Sequence, residues 1–165
     1  MFITVHAAIA TLAGSQIQNP LIAFFAGLGL HFIFDIIPHG DKELGKKFFG
    51  LQVKKLKEED QLKAMTLYGT LDASALVLYL IFIFRNFEFA QSDSVSFAII
   101  GSVLPDILVA IYQLTKLKFL KWFNDFHHKV HYFILDKMEN DIPIKYGMLL
   151  QGIALALIIS LLYFI

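Results

Sequence analysis

The chain has 165 residues, of which 57% are hydrophobic and 17% charged, with a formal net charge of zero. Soluble domains run nearer about 45–50% apolar and about 25% charged, so this is the balance of an integral membrane protein. Neutrality argues against a nucleic-acid partner, and the absence of cysteine removes disulfides, thiolate metal sites and a cysteine nucleophile.

A bilayer core of about 30 Å takes roughly 20 apolar residues as a helix. On that scale the sequence predicts an all-α fold in a single domain over residues 1–165. It is a polytopic membrane bundle of about five transmembrane helices, with one or two interfacial amphipathic helices. The first span covers about 2–18, and no basic region precedes "MFITVHAAIATLAG", which argues against a cleavable signal peptide. It ends in the polar turn "GSQIQNP", where Asn19-Pro20 breaks the chain and Pro20 suits the first turn of a second span over 20–38. These two helices form a tight hairpin. "LGKKFFGLQVKKLKEEDQLK" (44–63) is amphipathic. The third and fourth spans cover 64–84 and 95–115. "LKFLKWFNDFHHKVHYFIL" (117–135) places Leu120, Phe123, His127, Val130 and Ile134 on one side, a pattern that suits a helix lying in the membrane interface. The fifth span covers 143–165.

The loops 39–63 and 116–142, together with Lys145, hold all thirteen lysines, and the opposite side holds only Arg85. Positive charge stays inside. The expected location is therefore the prokaryotic cytoplasmic (inner) membrane, with the N-terminus inside and the C-terminus outside.

Depth and topology together sort the ionisable residues. His31 falls near the midplane, Asp35 nearer the cytoplasm, and His39 and Asp41 at the cytoplasmic end of helix two. Asp72 and Asp106 lie within helices three and four, His6 near the cytoplasmic end of helix one, and His127, His128 and His131 on the interfacial segment. Buried ionisable groups in a membrane are costly and mark functional sites. His31 and Asp35 are four apart, as are His127 and His131, so each pair shares a helix face. Imidazole and carboxylate donors without sulfur suit zinc, manganese or iron(II), and zinc is favoured. The expected metal ligands are His31, Asp35, His39, Asp106, His127 and His131, with His6 and His128 next, around one or two ions. Pro38 stops helix two and lets His39 turn back over the site, while Gly27 and Gly29 allow a neighbouring helix to come close.

Each residue also has a plainer reading. His31 and Asp35 can bond to each other, Asp72 can bond Thr70 or Ser74, and Asp106 can cap a helix restarted after Pro105. His6 can be interfacial, and "HHKVH" can be a solvated patch.

At these residues the chain resembles the bacterial and archaeal family of membrane-bound metal-dependent hydrolases. His6 in "VHAAIATLAG" is similar to that family's early histidine. "GSVLPD" (101–106) is similar to its L-P-D-x-D-H element, with Leu108 where a second acid is expected and no histidine following. "HHKVHYF" (127–133) is similar to its H-R-G-x-T-H-S element, without the Thr or Ser. "HFIFDIIPHGD" (31–41) resembles H-x-x-x-D variants in small proteins of this type, and its spacing is similar to that of zinc-dependent phospholipases C. The resemblance implies a metal-dependent hydrolase.

The expected activity is hydrolysis, by metal-activated water, of a phosphoester or other ester in a membrane lipid or lipid-linked substrate, from the cytoplasmic side. Asp72 or Asp106 serves as the catalytic proton acceptor. The alternatives are a small transporter or channel for protons or metal ions, and a non-catalytic membrane scaffold.

Overall fold

A computed structural model describes residues 1–40, 58–134 and 142–164. Among these residues the fold is all-helical: α1 (Ile3–Gly14), α2 (Pro20–Asp35), α3 (Glu58–Asn86), α4 (Ser92–Thr115), a single 3-10 turn (Lys118–Leu120), α5 (Lys121–His131) and α6 (Ile144–Leu162). Most of the segment 44–63, read as amphipathic from sequence, lies outside the described residues, and its last residues belong to α3.

Among the described residues, three stretches are long and apolar enough to cross a membrane: Thr66–Asn86, Ser92–Thr115 and Lys145–Leu162. The first two predicted spans are shorter than expected, at 12 residues in α1 and 16 in α2. By the helical rise these are about 18 and 24 Å. Polar residues after Gly14 end α1. The Asn19 side chain caps α2, accepting from the backbone N–H of Leu21 at 2.9 Å and of Ile22 at 3.2 Å, with Pro20 at the first helical position. At its other end Pro38 disfavours a helical Ile37 and has no N–H to donate. Pro105 does not restart α4, which runs through it unbroken.

Contacts between the helices give their directions. Gly14 meets Val95 and Ala98, and His6 lies beside Asp106, so α1 is antiparallel to α4. Gly27 meets Ala98 and His31 lies beside Asp106, so α2 is parallel to α4. Thr4 bonds Asp72 and Thr11 bonds Tyr79, so α1 is parallel to α3. Phe2 bonds Gln151 in the first half of α6, while Leu162 joins the core at its far end. Among the described residues α1, α2, α3, α4 and α6 therefore alternate in direction along the chain.

The α2–α4 crossing is the tightest. A Cβ on Gly27 would lie 2.0 Å from the Ala98 carbonyl oxygen, and one on Gly101 2.1 Å from the Phe24 carbonyl oxygen. Glycine at both positions lets the two backbones touch. Gly29, expected to do the same, has nothing within 4 Å of its Cβ position. The core is small-residue rich, with Ala7, Ala8, Ala10, Ala23, Val95 and Ala98 buried. The outside is apolar as well: Leu21, Phe25, Leu71, Leu78, Leu149 and Leu157 are all exposed. Helices that are apolar on every side belong in lipid.

Candidate metal centre

Asp35, in the last turn of α2, is the hub. Its Oδ2 lies 3.4 Å from His127 Nε2 and 3.8 Å from His31 Nε2. Its Oδ1 lies 3.3 Å from His6 Nε2, 3.9 Å from His131 Nε2 and 2.7 Å from the Met1 nitrogen. Asp106 Oδ1 stands 3.4 Å from His127 Nε2 and 4.0 Å from His31 Nε2. The two imidazole nitrogens, His31 Nε2 and His127 Nε2, are 3.0 Å apart.

Helical spacing assembles this set. His31 and Asp35 lie one turn apart on α2, and the Gly27–Gly101 contact holds that face against Asp106 on α4. The amphipathic α5 turns His127 and His131, again one turn apart, onto the same point. Asn124, one turn before His127, accepts from Gln113 Nε2 at 3.0 Å and ties α5 to α4. Phe126 rests edge-on against Phe32. The opposite face of α5 carries exposed Trp122 and the Lys121–Asp125 ion pair. In that pair, the hydrogen bond to Lys121 holds the Asp125 carboxyl below its usual range and raises the ammonium correspondingly.

His39 turns back after Pro38, as expected, and its ring meets that of His131 at 5.0 Å. Gly147 of α6 makes room for this turn: a Cβ there would lie 2.0 Å from the His39 carbonyl oxygen.

Three groups among the described residues have donor atoms within 4.8 Å of one another: His6–His31–Asp106, His31–Asp35–His127 and Asp35–His39–His131. The donor set fits a divalent ion. With ligand bonds of about 2.0–2.1 Å, the corners of a tetrahedron lie roughly 3.3 Å apart. His31 Nε2 and His127 Nε2 lie 3.0 Å from each other and 3.4 to 4.0 Å from Asp35 Oδ2 and Asp106 Oδ1. Two buried atoms here, His31 Nδ1 and Asp106 Oδ2, have no hydrogen-bond partner among the described residues.

Two sequence-predicted residues fall outside the cluster. Asp72, read as a catalytic base, belongs to none of these groups. It caps α1 from a neighbouring helix. Its Oδ2 accepts from Ile3 N–H at 2.7 Å, and its Oδ1 from Thr4 N–H at 3.3 Å and the Thr4 hydroxyl at 2.7 Å. The residue at the α1 cap position, Phe2, has no side chain to do this, so the first N–H groups take their acceptor from α3. His128, read as a possible ligand, donates Nδ1–H to the Asn124 carbonyl at 2.7 Å. It lies one position round the helix from His127, away from the shared face.

Sequence reasoning missed Gln151, which is buried and accepts the Phe2 N–H at 2.7 Å. Its signal was a lone polar side chain inside "GMLLQGIALAL". Thr4 went unnoticed too; it is the Asp72 partner on α1.

Fold and site thus define an all-helical protein with helices able to cross a membrane and a buried His/Asp cluster able to hold a metal ion. No protein-family profile, curated protein or solved structure matches this chain.

Proposed function

We propose that the protein is a metal-dependent hydrolase embedded in the prokaryotic cytoplasmic membrane, acting on a phosphoester or other ester of a membrane lipid or lipid-linked substrate. The observation that carries this reading is the convergence of His6, His31, His39, His127 and His131 with Asp106 around the single carboxylate of Asp35. Buried imidazoles and carboxylates at one membrane depth are costly unless they bind something.

The bundle spans five times in this reading, with the N-terminus inside and the C-terminus outside. Alternating helix directions and the one-sided lysines support it. The short α1 is enclosed by the helices around it rather than exposed to lipid along its length. Asp106 then lies nine residues from the cytoplasmic end of α4, about 13 Å in.

His31, His127, Asp35 and Asp106 hold the ion, which we take to be zinc. When bound, a divalent ion lowers the pKa of water toward about 7 and polarises a scissile ester. Asp106 offers Oδ1 toward the imidazoles and keeps Oδ2 for the proton that the attacking water loses. Packing of α2 against α4 and of α5 against α4 orients these donors before substrate arrives.

An apolar cavity of about 420 Å³ runs between α1 and α6, lined by Val5, Ile9, Leu12, Leu150, Ala154 and Ile158, with His39 at its inner end. It suits the chain of a lipid whose head group reaches the cluster. The test is hydrolysis of phosphoester and carboxylester lipids by detergent-purified protein. Turnover should vanish with a chelator, return with zinc, and be absent in Asp35→Ala. Turnover that ignores both chelator and Asp35→Ala would refute the proposal.

A proton or metal transporter is the second reading. Buried Thr11, Tyr79, Ser94 and Ser102 continue from the cluster toward the far ends of α1 and α4. Two of the four bond within their own helices: Thr11 donates to the Ala7 carbonyl at 2.8 Å and Ser102 to the Ile99 carbonyl at 2.9 Å. They form a weaker path than ionisable groups would. Metal flux into liposomes that is lost in Asp35→Ala, without hydrolysis, would favour this reading.

A further inference from the structure

We infer that the cluster holds two divalent cations, bridged by the Asp35 carboxylate. This rests on the metal-binding reading above and adds a second position to it.

The two Asp35 oxygens serve different partners. Oδ2 faces His127 at 3.4 Å and His31 at 3.8 Å, and Asp106 Oδ1 completes that set. Oδ1 faces His6 at 3.3 Å and His131 at 3.9 Å, and His39 joins His131 and Asp35 in a group spanning at most 4.8 Å. Five imidazoles and two carboxylates are more donors than one tetrahedral ion uses, which is about four. A carboxylate with one oxygen toward each donor set matches the roughly 3.5–4 Å separation of paired ions.

The second set also has its tautomer arranged. His39 Nδ1–H donates to the Ile37 carbonyl at 2.6 Å, which leaves the lone pair on Nε2. A backbone carbonyl on the far ring nitrogen is how proteins orient a ligating histidine. Pro38 sets the turn that brings the Ile37 carbonyl and the His39 ring together, and Gly147 provides the space for it. The chain thus provides a fixed ring for the second position, distinct from the His31, His127 and Asp106 donors of the first.

Charge then narrows the ligand. Two dications together with the Met1 ammonium, 2.7 Å from Asp35 Oδ1, exceed the two carboxylates by three positive charges, and a membrane interior does not leave such an excess uncompensated. The missing partner is an anion at the His39–His131 side, which favours a phosphoester over a neutral ester.

The test uses metal-free, detergent-purified full-length protein titrated with Mn²⁺, read by elemental analysis after gel filtration and by electron paramagnetic resonance. Two ions per chain with an exchange-coupled signal are expected. The double variant His39→Ala, His131→Ala should retain one ion and lose the coupling. Inorganic phosphate should tighten the second ion by about tenfold, within the usual range of coupling between sites. One ion in the native protein, or two without coupling, overturns this inference and leaves the single-metal reading standing. No bound ion overturns both. An unchanged second affinity in phosphate removes the anionic ligand from it. Because the native stoichiometry decides the main point, a double variant that fails to fold would not protect the claim.

Discussion

Replacing Gly27 by alanine should damage the metal centre although the residue touches none of its ligands. The added Cβ would lie 2.0 Å from the Ala98 carbonyl oxygen, 2.8 Å from its carbon and 3.1 Å from its Cα. An unstrained carbon–oxygen contact is about 3.3 Å or more, so α2 and α4 must part by roughly 1.3 Å. The same crossing sets the distance between His31, one turn further along α2, and Asp106 on α4. Those donor atoms are 4.0 Å apart. Two ligands on one ion cannot be more than about 4.2 Å apart, twice the bond length. Opening the crossing by even a quarter of the required shift removes Asp106 or His31 from the set. Overpacking of this kind costs about 1–3 kcal/mol of stability, and loss of one ligand should weaken metal binding at least tenfold. The control is Gly29→Ala, two residues away, where the new Cβ meets nothing within 4 Å. There the better helix propensity of alanine should leave stability equal or slightly raised. Thermal unfolding in detergent and Zn²⁺ titration of both variants measure this. Equal behaviour of Gly27→Ala and Gly29→Ala would refute the reasoning that backbone contact positions the site.

Asp72→Ala should lower stability by about 2–4 kcal/mol, since it strips the cap from α1 and leaves buried donors unpaired, while metal content per folded chain stays unchanged; denaturant unfolding and elemental analysis separate the two effects. His128→Ala should bind metal as the native protein does, and a deficit would return that residue to the site. Ala154→Trp should fill the cavity beside His39 and raise KM for long-chain substrates several-fold, with short-chain esters hydrolysed as before; equal loss on both would remove the cavity from substrate binding. Because the chain has no cysteine, single cysteines report orientation cleanly. Gln18→Cys and Glu88→Cys should react with an impermeant maleimide in intact cells and Lys118→Cys should not, and the reverse pattern would invert the proposed topology.

Much of this site was legible because helices repeat. His31 with Asp35, and His127 with His131, are one turn apart, so each pair had to share a face, and the Pro38 break had to release His39. What a single sequence does not carry is which helix meets which. The α1 cap shows this: no residue near Ile3 could provide it, and the acceptor, Asp72, lies 69 residues away. Asp72 therefore read as a buried acid awaiting chemistry, whereas its oxygens were already committed. Gly27 and Gly29 looked equivalent, and only the phase of α2 against α4 separates them. Pro105 looked like a break, but in α4 it removes only the hydrogen bond that its own N–H would give to the Gly101 carbonyl. The spans of α1 and α2 were read too long because hydropathy continues past the polar turn and past Asp35, while the backbone does not.

The most direct test of the central claim is the X-ray absorption fine structure of zinc bound to the purified protein. Nitrogen and oxygen ligands at about 2.0–2.1 Å with imidazole scattering and no sulfur are expected, with imidazole scattering reduced in a His31→Ala, His127→Ala variant. Zinc surrounded by oxygen alone, or a spectrum unchanged by that variant, would contradict it.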